Sequence, residues 1–204
     1  HQRDAVRQLL TDAKHNRTRL NYLIEHSAGS GKTTTIAWLA HRLASLHDTQ
    51  NRIVYDSVLV ITARVVVDRQ LQDAIKSIDH KSGLVYTVDD KKTSTDLTDA
   101  LIGNYKIIVT TIQKFFYVWK LAQNQNNKTF AIIIDEAHSS TSGKDMIAVK
   151  NTLGQSEGSE EVDAQDAIEN EIQRHGKAPN VSFFAFTATP KPMTLRLFGL
   201  ESID

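Results

Sequence analysis

One stretch limits the possible folds more than any other: His26-Ser27-Ala28-Gly29-Ser30-Gly31-Lys32-Thr33. Before it, Leu20 to Ile24 has the character of a buried strand; after it, Thr34 to Ala44 sets Ile36, Leu39, Ala40 and Leu43 on one helical side. Strand, glycine turn and helix in that order form a phosphate-binding loop. Gly29 and Gly31 reach backbone angles closed to other residues, and the N–H groups of a helix start face the anion. Gly29, Ser30, Gly31, Lys32, Thr33 and Thr34 are therefore the expected phosphate ligands, with Lys32 on the β- and γ-phosphates of ATP and the Thr33 hydroxyl on Mg²⁺. The strict pattern asks for glycine at position 26, where this chain has His26. The alternative is an ordinary strand-to-helix turn with an incidental Lys-Thr, and the second motif below weakens it.

That motif is Asp135-Glu136-Ala137-His138, which ends the apolar run Phe130 to Ile134. A run of this kind suits the middle of a parallel sheet. An acid at its carboxyl end, Asp135, reaches Mg²⁺; Glu136, one residue on, positions or deprotonates the attacking water. His138 is placed to sense the γ-phosphate.

Other strands are expected over Ser57 to Ile61, Lys106 to Val109 and Val181 to Phe186, with a hairpin or extra strand as an option near Leu84 to Thr87. Helices are expected over 1–13, 65–78, 93–102 and 145–153, with another from about Met193. The strand at 57–61 runs into Thr62-Ala63-Arg64 on the ligand face of such a sheet, where Thr62 and Arg64 can meet a phosphodiester backbone, and the strand at 106–109 closes on Thr110-Thr111-Ile112-Gln113-Lys114, where two hydroxyls and an amide again cluster at a strand end. Phe115, Phe116, Tyr117 and Trp119 are close enough together to stack nucleobases, but their near-helical spacing favours a core role. Residues 154–171 are acidic and carry Ser and Gly, as expected of a solvated insertion. Thr187-Ala188-Thr189 ends the last strand, and its hydroxyls are expected to bond to the catalytic acid and histidine.

Composition sets outer bounds. The 204 residues, 40% hydrophobic, suffice for one substantial core. Lys+Arg and Asp+Glu both count 24, so a nucleic-acid surface has to be local. There is no cysteine, and no apolar run approaches the roughly 18 residues that span a bilayer. A membrane partner is not expected. The chain starts at His1 and is expected to be a piece of a longer one.

Together these motifs resemble the first RecA-like domain of superfamily 2 helicases and translocases: an α/β P-loop NTPase fold, mainly parallel sheet, helices on both faces, spanning 1–204. More narrowly, Leu23 to Lys32, Asp68-Arg69-Gln70-Leu71, Val109 to Lys114, Ile134 to Ser140 and Phe184 to Pro192 look like the restriction (motor) subunit of type I restriction-modification enzymes. His26 in place of glycine is itself typical of that family. The resemblance implies a cytoplasmic bacterial or archaeal motor that pumps double-stranded DNA with ATP and Mg²⁺. Its partners would be a second RecA-like domain of the same chain and the methylation and specificity subunits; cleavage would belong to a nuclease domain outside these residues.

By that resemblance Thr33 and Asp135 hold the metal, Glu136 activates water, Thr62, Arg64, Thr110 and Thr111 contact DNA, and His138, Thr187 and Thr189 couple the sites. Gln2 falls where helicase-like ATPases place a glutamine on the adenine edge; a solvated glutamine is the alternative. An arginine finger from the second domain, worth about 10³ to 10⁵ in rate in comparable ATPases, is absent from these residues, so they are expected to bind nucleotide and hydrolyse it poorly. The alternatives are another superfamily 2 DNA or RNA helicase and a scaffold that binds ATP without hydrolysing it.

Overall fold

The computed structural model describes residues 2–16, 18, 21–26, 31–62, 69–78, 83–88, 92–111, 114–125, 127–135 and 178–188. In chain order these form α1 (Gln2–Asn16), β1 (Asn21–Glu25), α2 (Lys32–Ala44), β2 (Ser57–Thr62), α3 (Arg69–Ile78), β3 (Val85–Thr87), α4 (Ser94–Ile102), β4 (Ile107–Thr111), α5 (Phe115–Asn124), β5 (Phe130–Asp135) and β6 (Val181–Thr187). The six strands make one sheet in the order β1-β6-β5-β2-β4-β3, with every pairing parallel. The segment near 84–87 is thus an edge strand beside β4, not a hairpin.

Alternation along each strand sorts the side chains between two cores. Val58 and Val60, Ile107 and Val109, Ala131 and Ile133, and Phe184 and Phe186 pack with α1, α2 and α3. Leu59 and Ile61, Ile108, Phe130, Ile132 and Ile134, and Val181, Phe183 and Ala185 pack with α4 and α5. A strand buried on both faces has no polar side to show, which is why β2, β5 and, apart from Ser182, β6 read as apolar runs.

On one side α1 inserts Val6, Leu10 and Ala13, and α2 inserts Ile36, Leu39, Ala40 and Leu43. On the other, Trp119 of α5 is 1% exposed with its ring 5.3 Å from Phe183, so it is core. Tyr117 is partly buried and bonds Thr98 across α4 and α5 at 2.6 Å. The side chains of Phe115 and Phe116 lie outside the described residues. Helix α4 begins with a capping box between Thr93 and Asp96, which satisfies donors that a helix start leaves open.

The expected helix at 145–153, the acidic insertion at 154–171 and the segment from Met193 lie outside the described residues. Between α2 and β2 is a feature absent from the sequence reading: a tight turn in which Asp48 accepts from the backbone N–H groups of Gln50 and Arg52, both at 2.9 Å, closed by the bridge between His47 and Ile53.

Candidate nucleotide site at the carboxyl edge of the sheet

The parallel register lines up the strand ends. Thr62 pairs with both Asp135 and Thr111, and Glu25 with Thr187. Ligand sites of open α/β sheets form at this edge.

At its centre, Gly31 precedes α2 with φ at 82°, the left-handed region that a side chain strains to occupy. It offers no side-chain cap, and the first helical bond is the Thr35 N–H to the Gly31 carbonyl at 3.1 Å. The first-turn N–H groups ahead of Thr35 therefore form the anion-attracting end of the helix. Lys32 and Thr33 are partly buried and Thr34 is exposed.

Alternation on β5 puts Asp135 on the same face as Ala131 and Ile133, the face that α2 covers. The Lys32 Nζ consequently lies 3.3 Å from Asp135 Oδ1, with the two side chains 13% and 18% exposed. The donor set suits a metal-bound polyphosphate: Thr33 and Asp135 supply the hard oxygens Mg²⁺ takes, and an ammonium beside a helix start suits phosphate. Among the described residues no three His, Cys, Asp or Glu gather around a cation.

The other expected residues fare differently. Thr62, Thr110 and Thr111 are 1%, 0% and 0% exposed, so in this structure their hydroxyls are enclosed by the protein. Thr62 and Thr111 are the last residues of β2 and β4, and Thr110 precedes Thr111. Thr187 is fully buried, and alternation sets it with Val181, Phe183 and Ala185 on the face of α4 and α5, opposite Asp135. The main chain of β6 is linked to the phosphate-loop side: the His26 N–H donates to the Thr187 carbonyl at 2.9 Å. Gly29, Ser30, Arg64, Glu136, His138 and Thr189, and the side chain of Gln2, lie outside the described residues.

Sequence reasoning missed Thr35. It follows the motif by two residues, and nothing in its type marks it out; only the fold shows its hydroxyl bonded to the Gly31 carbonyl at 3.2 Å.

A family model described as SWI2/SNF2 ATPase matches residues 1–200. The chain belongs to the SWI2/SNF2 ATPase family. This SWI2/SNF2 ATPase chain has the RecA-like fold of helicase domains. A hypothetical ATP-dependent RNA helicase from Sulfolobus tokodaii shares 17% identity over 100% of this chain and 50% of its own, with a TM-score of 0.55. A DEAD box protein from the hyperthermophile Methanococcus jannaschii shares 20% over 94% and 44%, with a TM-score of 0.57. A nuclease-deletion mutant of the type ISP restriction-modification enzyme LlaGI, in complex with a DNA substrate mimic, shares 16% over 93% and 17%, with a TM-score of 0.53. The SWI2/SNF2 ATPase chain spans half or less of the length of these structures. No curated protein sequence matches it. Among its described residues no helix is long and apolar enough to cross a membrane.

Proposed function

We propose that this SWI2/SNF2 ATPase domain is the ATP-binding half of a motor that translocates double-stranded DNA, as in the restriction subunit of type I restriction-modification enzymes. The observation that carries the nucleotide site is the 3.3 Å approach of Lys32 to Asp135 beside the start of α2. Support for the narrower assignment comes from the five motif segments, above all Phe184 to Pro192.

Gly29 to Thr34 bind the phosphates, with Lys32 on the β- and γ-groups, and Gln2 takes the adenine edge. Thr33 and Asp135 hold Mg²⁺, which when bound neutralises charge on the transferring phosphoryl group. Glu136 orients the attacking water and takes its proton. His138, Thr187 and Thr189 relay the state of the site. The polymer lies along the carboxyl edge, over the loops that Thr62, Arg64, Thr110 and Thr111 begin; with the three threonines buried, the contacts come from those loops and Arg64. A second RecA-like domain of the same polypeptide, together with methylation and specificity subunits, completes the motor.

The test is steady-state ATP hydrolysis by the motor chain with its partner subunits, given linear duplex DNA, single-stranded DNA or RNA. Stimulation by duplex DNA that vanishes in Lys32→Ala is the expected result. Stimulation by RNA or single strands alone assigns the chain to another superfamily 2 branch. Lys32-independent behaviour throughout, with Glu136→Gln failing to trap ATP, leaves a nucleotide-binding scaffold.

A further inference from the structure

We propose that His26 is a positioning residue that ties both ends of the phosphate-binding loop together and fastens them to the end of β6; the proposal rests on the nucleotide-site reading above. Three contacts carry it. The His26 backbone N–H donates to the Thr187 carbonyl at 2.9 Å, which fixes the start of the loop to β6. The imidazole is 8% exposed, packed with its centroid 6.2 Å from that of Phe186 at 52°, and its Nε2 lies 3.4 Å from Thr35 Oγ1. Thr35 Oγ1 in turn donates to the carbonyl of Gly31 at 3.2 Å, at the end of the loop where φ is 82°.

The protons determine the direction of the chain. A hydroxyl has one proton, and Thr35 commits it to the Gly31 carbonyl. With the hydroxyl proton on the Gly31 carbonyl, the imidazole hydrogen is assigned to Nε2, which donates to Thr35. Glycine at position 26, as the strict loop pattern has it, leaves the two ends of the loop to find their positions independently. His26 holds them in advance, and ordering that precedes binding is not charged against affinity. The same ring sits on Phe186, beside the strand end that the motor reading assigns to coupling.

The experiment measures binding of a fluorescent ADP derivative with Mg²⁺ to the full 204-residue chain and its variants. His26→Phe keeps a buried ring but loses Nε2; Thr35→Val loses the hydroxyl; Thr35→Ser keeps it. The first two are expected to weaken binding about 3- to 10-fold each, the effect of one hydrogen bond, while Thr35→Ser restores it. Because both act through one chain of contacts, His26→Phe with Thr35→Val is expected to be no weaker than the worse single variant. Nitrogen NMR of the wild type is expected to place the proton on Nε2. Unchanged affinity in both single variants, multiplying losses in the double variant, or an Nδ1–H tautomer overturns the proposal. If His26→Phe does not fold, the Thr35→Val and Thr35→Ser pair decides with the tautomer. Lys32→Ala separates the two failures. Lost binding there beside intact binding in the His26 and Thr35 variants sinks the proposal alone; equal binding in Lys32→Ala and wild type, or none in either, sinks the nucleotide-site reading and the proposal with it.

Discussion

The ammonium of Lys32, first residue of α2, stands 3.3 Å from the carboxylate of Asp135, last residue of β5. The contact follows from the period of two along β5, which turns Asp135 toward the helix that Lys32 begins. The two charges compensate each other in a partly buried site. A metal-bound polyphosphate needs both, the cation for phosphate and the anion for metal.

Lys32→Ala is therefore expected to weaken nucleotide binding by roughly 10- to 150-fold, the equivalent of a hydrogen bond to a charged group at about 1.5–3 kcal/mol. Isothermal titration with ADP and Mg²⁺ measures it. A change below about twofold removes Lys32 from the phosphate site.

Asp135→Asn should act on the metal instead. Wild-type affinity for ADP is expected to rise when Mg²⁺ is added, and that of the variant to stay flat, since the amide is a poorer ligand for a hard cation. A variant that still responds to Mg²⁺ as the wild type does would exclude Asp135 as a ligand.

Trp119→Ala is expected to cost about 3–5 kcal/mol, as for truncation of a large core aromatic. The ring is 1% exposed and packs against Phe183, in the core shared with Phe130 and Val181. Urea unfolding followed by far-ultraviolet circular dichroism gives the value. A cost under about 1 kcal/mol, within the range of surface substitutions and small changes, would reopen the base-stacking role.

Much of this fold is legible in the chain because burial on both faces writes β2, β5 and, but for Ser182, β6 as apolar runs. Their polar ends are harder to read. Thr110 and Thr111 look like loop residues after Ile107 to Val109, yet parallel pairing with β2 carries β4 through Thr111. β3 has three half-buried residues and is held by pairing with β4, a long-range cause that local pattern does not contain. The same limit applies at the site. Lys32 and Asp135 are announced by motifs, but the face on which Thr187 lies and the brace from His26 through Thr35 to Gly31 depend on register and packing.

Acid should weaken the fold through two carboxylates. Backbone N–H donation from Arg52 chiefly, then burial working against it and the N–H of Gln50, holds Asp48 below the ordinary value of 3.8. The Thr93 backbone N–H and hydroxyl do the same for Asp96. A folded carboxyl with a depressed pKa binds fewer protons than its unfolded counterpart. Its stabilisation is complete above the unfolded value, near pH 4, and is lost as pH falls through the lower folded one. The melting temperature is expected to drop as pH is taken from about 5 to 3, and Asp48→Asn with Asp96→Asn should melt lower at neutral pH and respond less to acid. An equally steep acid response in that double variant would assign the effect to other carboxylates.

Thr110 gives the sharpest separation between structure and polymer contact. Its hydroxyl is buried near the end of β4 with no hydrogen-bond partner among the described residues, on the face of Ile108. A buried donor left unpaired carries its full desolvation cost, so Thr110→Val, nearly the same shape, is expected to stabilise the chain by about 1 kcal/mol. Because the hydroxyl is out of reach of a polymer, the same variant is expected to leave duplex-stimulated hydrolysis intact when assayed with the partner subunits. Greater stability with intact stimulation makes Thr110 a structural strand end and leaves DNA contact to the loop beyond it. Lost stimulation in a stable variant would mean that the strand end opens in the working motor and the hydroxyl does meet the backbone.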